Sequence, residues 1–175
     1  FPVATSIGAG TFQSCYAATS FSFPVATSIG AGTFQSCYAA TSFSFPAATS
    51  IGTSAFAGCY AATSFSFPVA TSVGTNAFQN CYAATSFSFP AATSIGSYAF
   101  QNCRRLLTAT FGASAITLVD IYAFDGDFAL TSITLGSTTP PTLTSTNAFS
   151  LNSFATIYVP SASVSAYKAA TNWAS

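Results

Sequence analysis

Cys15-Tyr-Ala-Ala-Thr-Ser-Phe-Ser-Phe-Pro-Val-Ala-Thr-Ser-Ile-Gly-Ala-Gly-Thr-Phe-Gln-Ser-Cys37 runs from one cysteine to its equivalent 22 residues on, one full period of a repeat. Phe-Pro recurs at Phe1, Phe23, Phe45, Phe67 and Phe89, and Phe111 follows in phase with Gly112 in place of the proline. Residues 1–22 and 23–44 are identical. A sixth unit, 111–134, is longer and divergent, and 135–175 does not repeat. The spacing therefore predicts an array over 1–134 and a closing module over 135–175. Periods in the low twenties belong to solenoids, in which each turn buries its apolar side only against its neighbours.

Apolar residues stack in columns along this period. Ile7, Ile29, Ile51, Val73, Ile95 and Val119 form one, and Phe12, Phe34, Phe56, Phe78, Phe100 and Phe124 another. A third, Phe21, Phe43, Phe65 and Phe87, lies two residues before Phe23, Phe45, Phe67 and Phe89. A spacing of two is strand spacing, so Ser22, Ser44, Ser66 and Ser88 point away from the core. The pattern predicts one short parallel strand per repeat, at about 18–23. Proline ends it where its missing donor is tolerated. The glycine column Gly8, Gly30, Gly52, Gly74 and Gly96 then reads as a tight turn, and the Phe-x-x-Cys segment as a turn or 3₁₀ return. Six turns about 4.8 Å apart make an array on the order of 30 Å long.

Only six of the 175 residues are charged, all between Arg104 and Lys168, and residues 1–103 carry none. Half the chain is apolar and 16% is aromatic, which excludes a disordered tail. Three cations provide no basic surface for phosphates, so nucleic acid is not an expected partner. The apolar runs are too short to span a bilayer. The chain begins without Met and without a charged, apolar leader, which reads as a mature product or a fragment.

The repeat unit, with Ile-Gly-x-x-Ala-Phe-x-x-Cys best matched in units three to five, resembles the BspA-like family of leucine-rich repeats. Thr139-Pro-Pro-Thr-Leu143, Ile157-Tyr-Val-Pro160 and Tyr167-Lys-Ala-Ala-Thr-Asn-Trp173 are similar to the closing module of that family in bacterial surface proteins. The resemblance implies a right-handed leucine-rich-repeat-like solenoid, mostly β, secreted or displayed at a cell surface, and engaged in adhesion. This chain departs from the pattern at Ala18, Ala40, Ala62 and Ala84, where the family has leucine, and carries Phe where aliphatics are commoner. Small-for-large and large-for-small exchanges within one layer offset each other.

Chemistry has little raw material. With no histidine or glutamate and one lysine, neither a nucleophile–base pair nor a general acid–base pair can be assembled from the repeats, so no enzyme and no cofactor are expected. Cys15, Cys37, Cys59, Cys81 and Cys103 lack the Cys-x-x-Cys spacing of a metal site and read as buried free thiols in one column. Asp120, Asp125 and Asp127 lack the full ligand set of a calcium loop and read as a solvated turn, near enough to Arg104 and Arg105 for a modest ion pair. The Thr-Ser pairs form hydroxyl ladders, read as surface residues bonded to adjacent turns rather than as a lattice-recognition face.

Two surfaces remain as binding candidates. One is the outward serine column Ser22, Ser44, Ser66 and Ser88, and the other the tyrosine stripe Tyr16, Tyr38, Tyr60 and Tyr82. The leading expectation is a non-enzymatic binding module for an extracellular protein or glycan. The alternative is a structural subunit associating through uncharged faces or ends into a homo-oligomer or filament, since a heterologous contact that does not close makes a fibre.

Overall fold

The computed structural model describes residues 3–112, 116–149 and 155–173. Phe1 and Pro2 of the Phe-Pro series, and 113–115 of the sixth unit, lie outside the described residues. The chain forms a parallel solenoid of about seven turns. Each turn of the array contributes a Ser-Phe-Ser strand, at Ser20–Ser22, Ser42–Ser44, Ser64–Ser66 and Ser86–Phe89, continued by Thr108–Phe111, Ser132–Leu135 and Thr156–Tyr158. Their register follows the repeat: Phe21 lies beside Phe43 and Phe65 beside Phe87, while Thr108 lies beside Ser132 across the longer unit. Burial alternates along them, phenylalanine inward and serine outward.

One strand per repeat becomes two. A seven-stranded parallel sheet of two-residue strands runs from Ser6–Ile7 through Ser28–Ile29, Ser50–Ile51, Ser72–Val73, Ser94–Ile95 and Leu118–Val119 to Thr142–Leu143. Its inward residues are the isoleucine–valine column, and two residues are too few for alternation to register in the sequence. The Ser-Phe-Ser series itself divides into a two-stranded sheet, Ser20–Ser22 with Ser42–Ser44, and a five-stranded sheet from Ser64–Ser66 to Thr156–Tyr158. The seven-stranded and five-stranded sheets continue beyond residue 134, so the segment after the array adds a last turn before helix Val164–Ala169.

The glycines between these strands act through close approach. A Cβ at Gly52 would sit 2.6 Å from the backbone carbon of Gly30, so each glycine lets its turn lie flat on the one before. The return segment is a run of turns and contains no 3₁₀ helix, for a hydrogen-bonding reason. Gly32, Phe34 and Ser36 donate their N–H groups to Thr53, Ala55 and Ala57 of the next turn, each at 2.8 Å. Only the alternate amides bond locally, Gln35 to Gly32 at 3.1 Å and Cys37 to Phe34 at 3.2 Å. A 3₁₀ helix would use them all internally.

The interior is a stack of phenyl rings. Phe34, Phe56 and Phe78 stack at 5.3 and 5.2 Å, and Phe43 meets Phe56 edge-on at 5.0 Å. Stacked and edge-on pairs suit the ring quadrupole and add about 0.5–1.5 kcal/mol each beyond area burial. Ala40, Ala62 and Ala84 are fully buried beside these rings, and the leucine returns at Leu106 and Leu130. At the C-terminal side, Phe124 stacks on Phe149, which packs against Trp173 at 5.3 Å. Trp173 Nε1–H donates to the Pro141 carbonyl at 3.0 Å, and the Tyr167 hydroxyl to the Ser137 carbonyl at 3.0 Å.

Candidate binding surface

Parallel pairing turns the outward serines into two columns. Ser22 is registered on Ser44, Ser66 on Ser88, and Ser88 on Thr110, which continues through Thr134 to Tyr158. Phe43 stacks on Phe65 at 5.5 Å, so the interior column behind the serines is continuous between the two-stranded and five-stranded parts. Ser22, Ser44, Ser66 and Ser88 are all exposed. No hydrogen bond from another described residue engages their hydroxyls. Thr110 holds the phase of Ser22 and was readable in the sequence, whereas the longer steps to Thr134 and Tyr158 take those two residues out of phase and hide them.

The threonines behave differently. Thr27 donates its hydroxyl to the Thr5 carbonyl at 3.1 Å, Thr49 to Thr27 at 3.0 Å, Thr71 to Thr49 at 3.1 Å and Thr93 to Thr71 at 3.0 Å. Their donors stitch turn to turn, as the sequence implied. The exposed hydroxyls open to a partner include those of the serine columns.

The tyrosine stripe lies at the surface as a ladder. Tyr16, Tyr38, Tyr60 and Tyr82 stack at 5.0, 4.7 and 4.9 Å, and the Arg104 guanidinium covers Tyr82 at 5.1 Å. Exposure falls from 57% at Tyr16 to 40% and 39% at Tyr38 and Tyr60. The inner ring faces are occupied by one another, which leaves edges and hydroxyls to solvent. Desolvation and the adjoining phenols of Tyr38 and Tyr82 push the Tyr60 phenol above its ordinary range. The stripe is already stacked, a poor platform for a further ring.

The thiols are free. Cys37, Cys59, Cys81 and Cys103 are buried and Cys15 is half-buried. Each buried thiol points at the phenylalanine carbonyl of the preceding turn, Cys37 at Phe12 O (3.2 Å) and Cys59 at Phe34 O (3.3 Å). Burial pushes the Cys37 thiol up to about 11 and raises Cys59, Cys81 and Cys103 as well. Such thiols are inert packing groups.

The aspartates correct the sequence reading. Asp127 is buried, 2% exposed, at the end of the cysteine column instead of in a solvated turn. Its Oδ1 accepts the Cys103 N–H at 2.7 Å, while its Oδ2 has no partner. Burial foremost, then the Cys103 thiol, raise its carboxyl to about 11, so it is neutral at pH 7. Desolvation opposes ionisation of Asp120, but donors from Thr144, Ser97 and the Ile121 N–H prevail and hold it below the usual carboxylate range. Asp125 accepts from Gln101 Nε2 at 2.8 Å. Arg104 is engaged by Tyr82, so the expected arginine–aspartate pair gives way to neutral donors and a cation–π contact. Among the described residues, no group of acids and thiols is arranged to hold a metal ion.

A model of the BspA type leucine rich repeat region matches six copies, over residues 5–118 and 71–170. The chain belongs to this family. A BspA-type chain of this kind finds its likeness among solved bacterial repeat proteins. It is similar to a leucine-rich repeat protein from Bacteroides ovatus, with 30% identity, a TM-score of 0.67, and coverage of 75% of this chain and 35% of that one. It is also similar to a leucine rich cell surface protein from Faecalibacterium prausnitzii, with 28% identity, a TM-score of 0.58, and coverage of 63% and 31%. The chain thus spans about a third of each of these two structures. No curated protein matches it. No helix among the described residues of this BspA-type chain is long and apolar enough to cross a membrane.

Proposed function

We propose that this BspA-type chain is part of a non-enzymatic cell-surface or secreted binding protein, and that it meets an extracellular macromolecule through the serine face of its Ser-Phe-Ser strands. The observation that carries this reading is the contrast between hydroxyls. Those of Ser22, Ser44, Ser66 and Ser88 are exposed and unengaged, while the ladder threonines spend theirs on backbone carbonyls. Surface location is supported by family membership and by the similarity to a protein described as a cell surface protein. The scarcity of acid–base groups supports a non-enzymatic role.

Saturable binding of the labelled chain to basement-membrane matrix and to intact epithelial cells tests it. Binding lost in the S44E/S66E/S88E variant, with an unchanged circular dichroism spectrum, is the expected result. Unaltered binding by that variant contradicts it. Sedimentation of the same preparation addresses the filament alternative, which demands ordered fibres in the absence of any ligand.

A further inference from the structure

Resting on the serine face as the binding surface, we propose that its ligand is a neutral, hydroxyl-rich polysaccharide lying along the array, across successive strands. The first ground is charge. Residues 1–103 contain no ionisable acid or base of the Asp, Glu, Lys, Arg or His type, so this face has no counter-charge to offer. A charged polymer would surrender hydration there with nothing in return.

The second ground is what the face does offer. Each serine hydroxyl is one donor and two acceptor positions, repeated at strand spacing, about 4.8 Å. Immediately beside this column, Pro24, Pro46, Pro68 and Pro90 are exposed and form a parallel strip of C–H surface. Between the two strips lies a shallow groove of about 160 Å³, bounded by Ser44, Ser66, Pro46 and Pro68 with Phe43 and Phe45 beneath. A pyranose ring presents the same pair of properties, hydroxyls at its edge and C–H bonds on its face.

The third ground is rigidity and repetition. Phe21, Phe43, Phe65 and Phe87 are buried directly behind the serines, so little is lost in ordering the face on binding. A polymer that contacts several turns at once gains from multivalency what one weak subsite lacks. A folded protein partner would instead need deep anchor pockets for its aromatic or arginine side chains, and this face has only a shallow groove.

Affinity electrophoresis of the purified chain through gels holding glucan, mannan, xylan or galactan, with heparin and polygalacturonate as charged counterparts, tests the proposal. Retardation is expected in at least one neutral gel and in neither charged gel, unaltered between about 50 and 200 mM salt. In S44E/S66E/S88E the affinity should fall at least about tenfold, and in the single variant S66E by less. The matched control A31E/T53E/T75E, three exposed positions in the return turns, should bind as the parent does. Retardation by no neutral polysaccharide, or by charged ones with loss at higher salt, overturns the polysaccharide. If matrix binding then survives deglycosylation yet is lost in the serine variant, the serine face stands and only the ligand class is wrong. If the control variant loses binding and the serine variant keeps it, both readings fall.

Discussion

Replacing Asp127 by asparagine should remove a pH dependence from the whole fold. The carboxyl is 2% exposed, raised to about 11, and unpartnered at Oδ2. In the unfolded chain it titrates near 3.9. Between those values the folded state holds a proton that the unfolded state has lost. Its contribution is therefore fully present below about pH 4 and declines as pH rises toward the folded value, by about 1.4 kcal/mol per pH unit. From pH 5 to 8 this amounts to about 4 kcal/mol, on the order of 10 °C in melting temperature for a chain of this size. Other shifted groups act elsewhere. Asp120, held low, contributes stability above its unfolded value that is lost as pH falls through its folded one, and the buried thiols matter only above about pH 8.5. Thermal melts followed by circular dichroism at pH 5, 6, 7 and 8 should show the parent chain losing stability steadily and D127N staying flat. Equal slopes in the two chains, or no slope in the parent, would refute the buried neutral acid.

Further outcomes follow from other particulars of the packing. Gly52→Ala places a Cβ against the Gly30 backbone and should cost about 1–3 kcal/mol by urea unfolding; a midpoint equal to the parent's contradicts the close approach. Phe56→Ala removes a fully buried ring from the centre of the stack and should cost about 3–5 kcal/mol in the same assay, against a surface-like change of under about 0.5 kcal/mol if the column were loose. In the native chain, Cys15 should react with a disulfide reagent while Cys37, Cys59, Cys81 and Cys103 react only on unfolding; rapid modification of all five would exclude the buried column. Arg104→Ala should lower stability by about 0.5–1 kcal/mol and raise exposure of Tyr82, read by solute quenching of tyrosine emission.

Period and phase carried most of the architecture into the sequence. Phe21 and Phe23 two apart announce an inward strand face, and the identical spacing in later units announces the register in which Ser22 meets Ser44. The second sheet was hidden because Ser28–Ile29 is too short to alternate. Glycine at position 30 is equally compatible with a tight turn and with a neighbour pressed against it, and only the stacked backbone distinguishes the two. Asp127 misled for a related reason. Its place at the end of the cysteine register is visible in the spacing, but clustering with Asp120 and Asp125 suggests a solvated turn, and only the fold shows that it inherits the cysteine's buried place. The tyrosine stripe was legible as a stripe, but that its ring faces are used up by stacking depends on distances of 4.7–5.0 Å that no spacing in sequence reveals.

On the proposed function, the neutral serine face is where this molecule is met by another. Saturation binding to basement-membrane matrix is the direct test, comparing the parent with S44E/S66E/S88E and A31E/T53E/T75E, two variants that match each other in added charge and keep the parent's fold by circular dichroism. The serine variant should lose at least about tenfold in affinity while the return-turn variant matches the parent. Equal losses in both variants, or a loss confined to the return-turn variant, would contradict it.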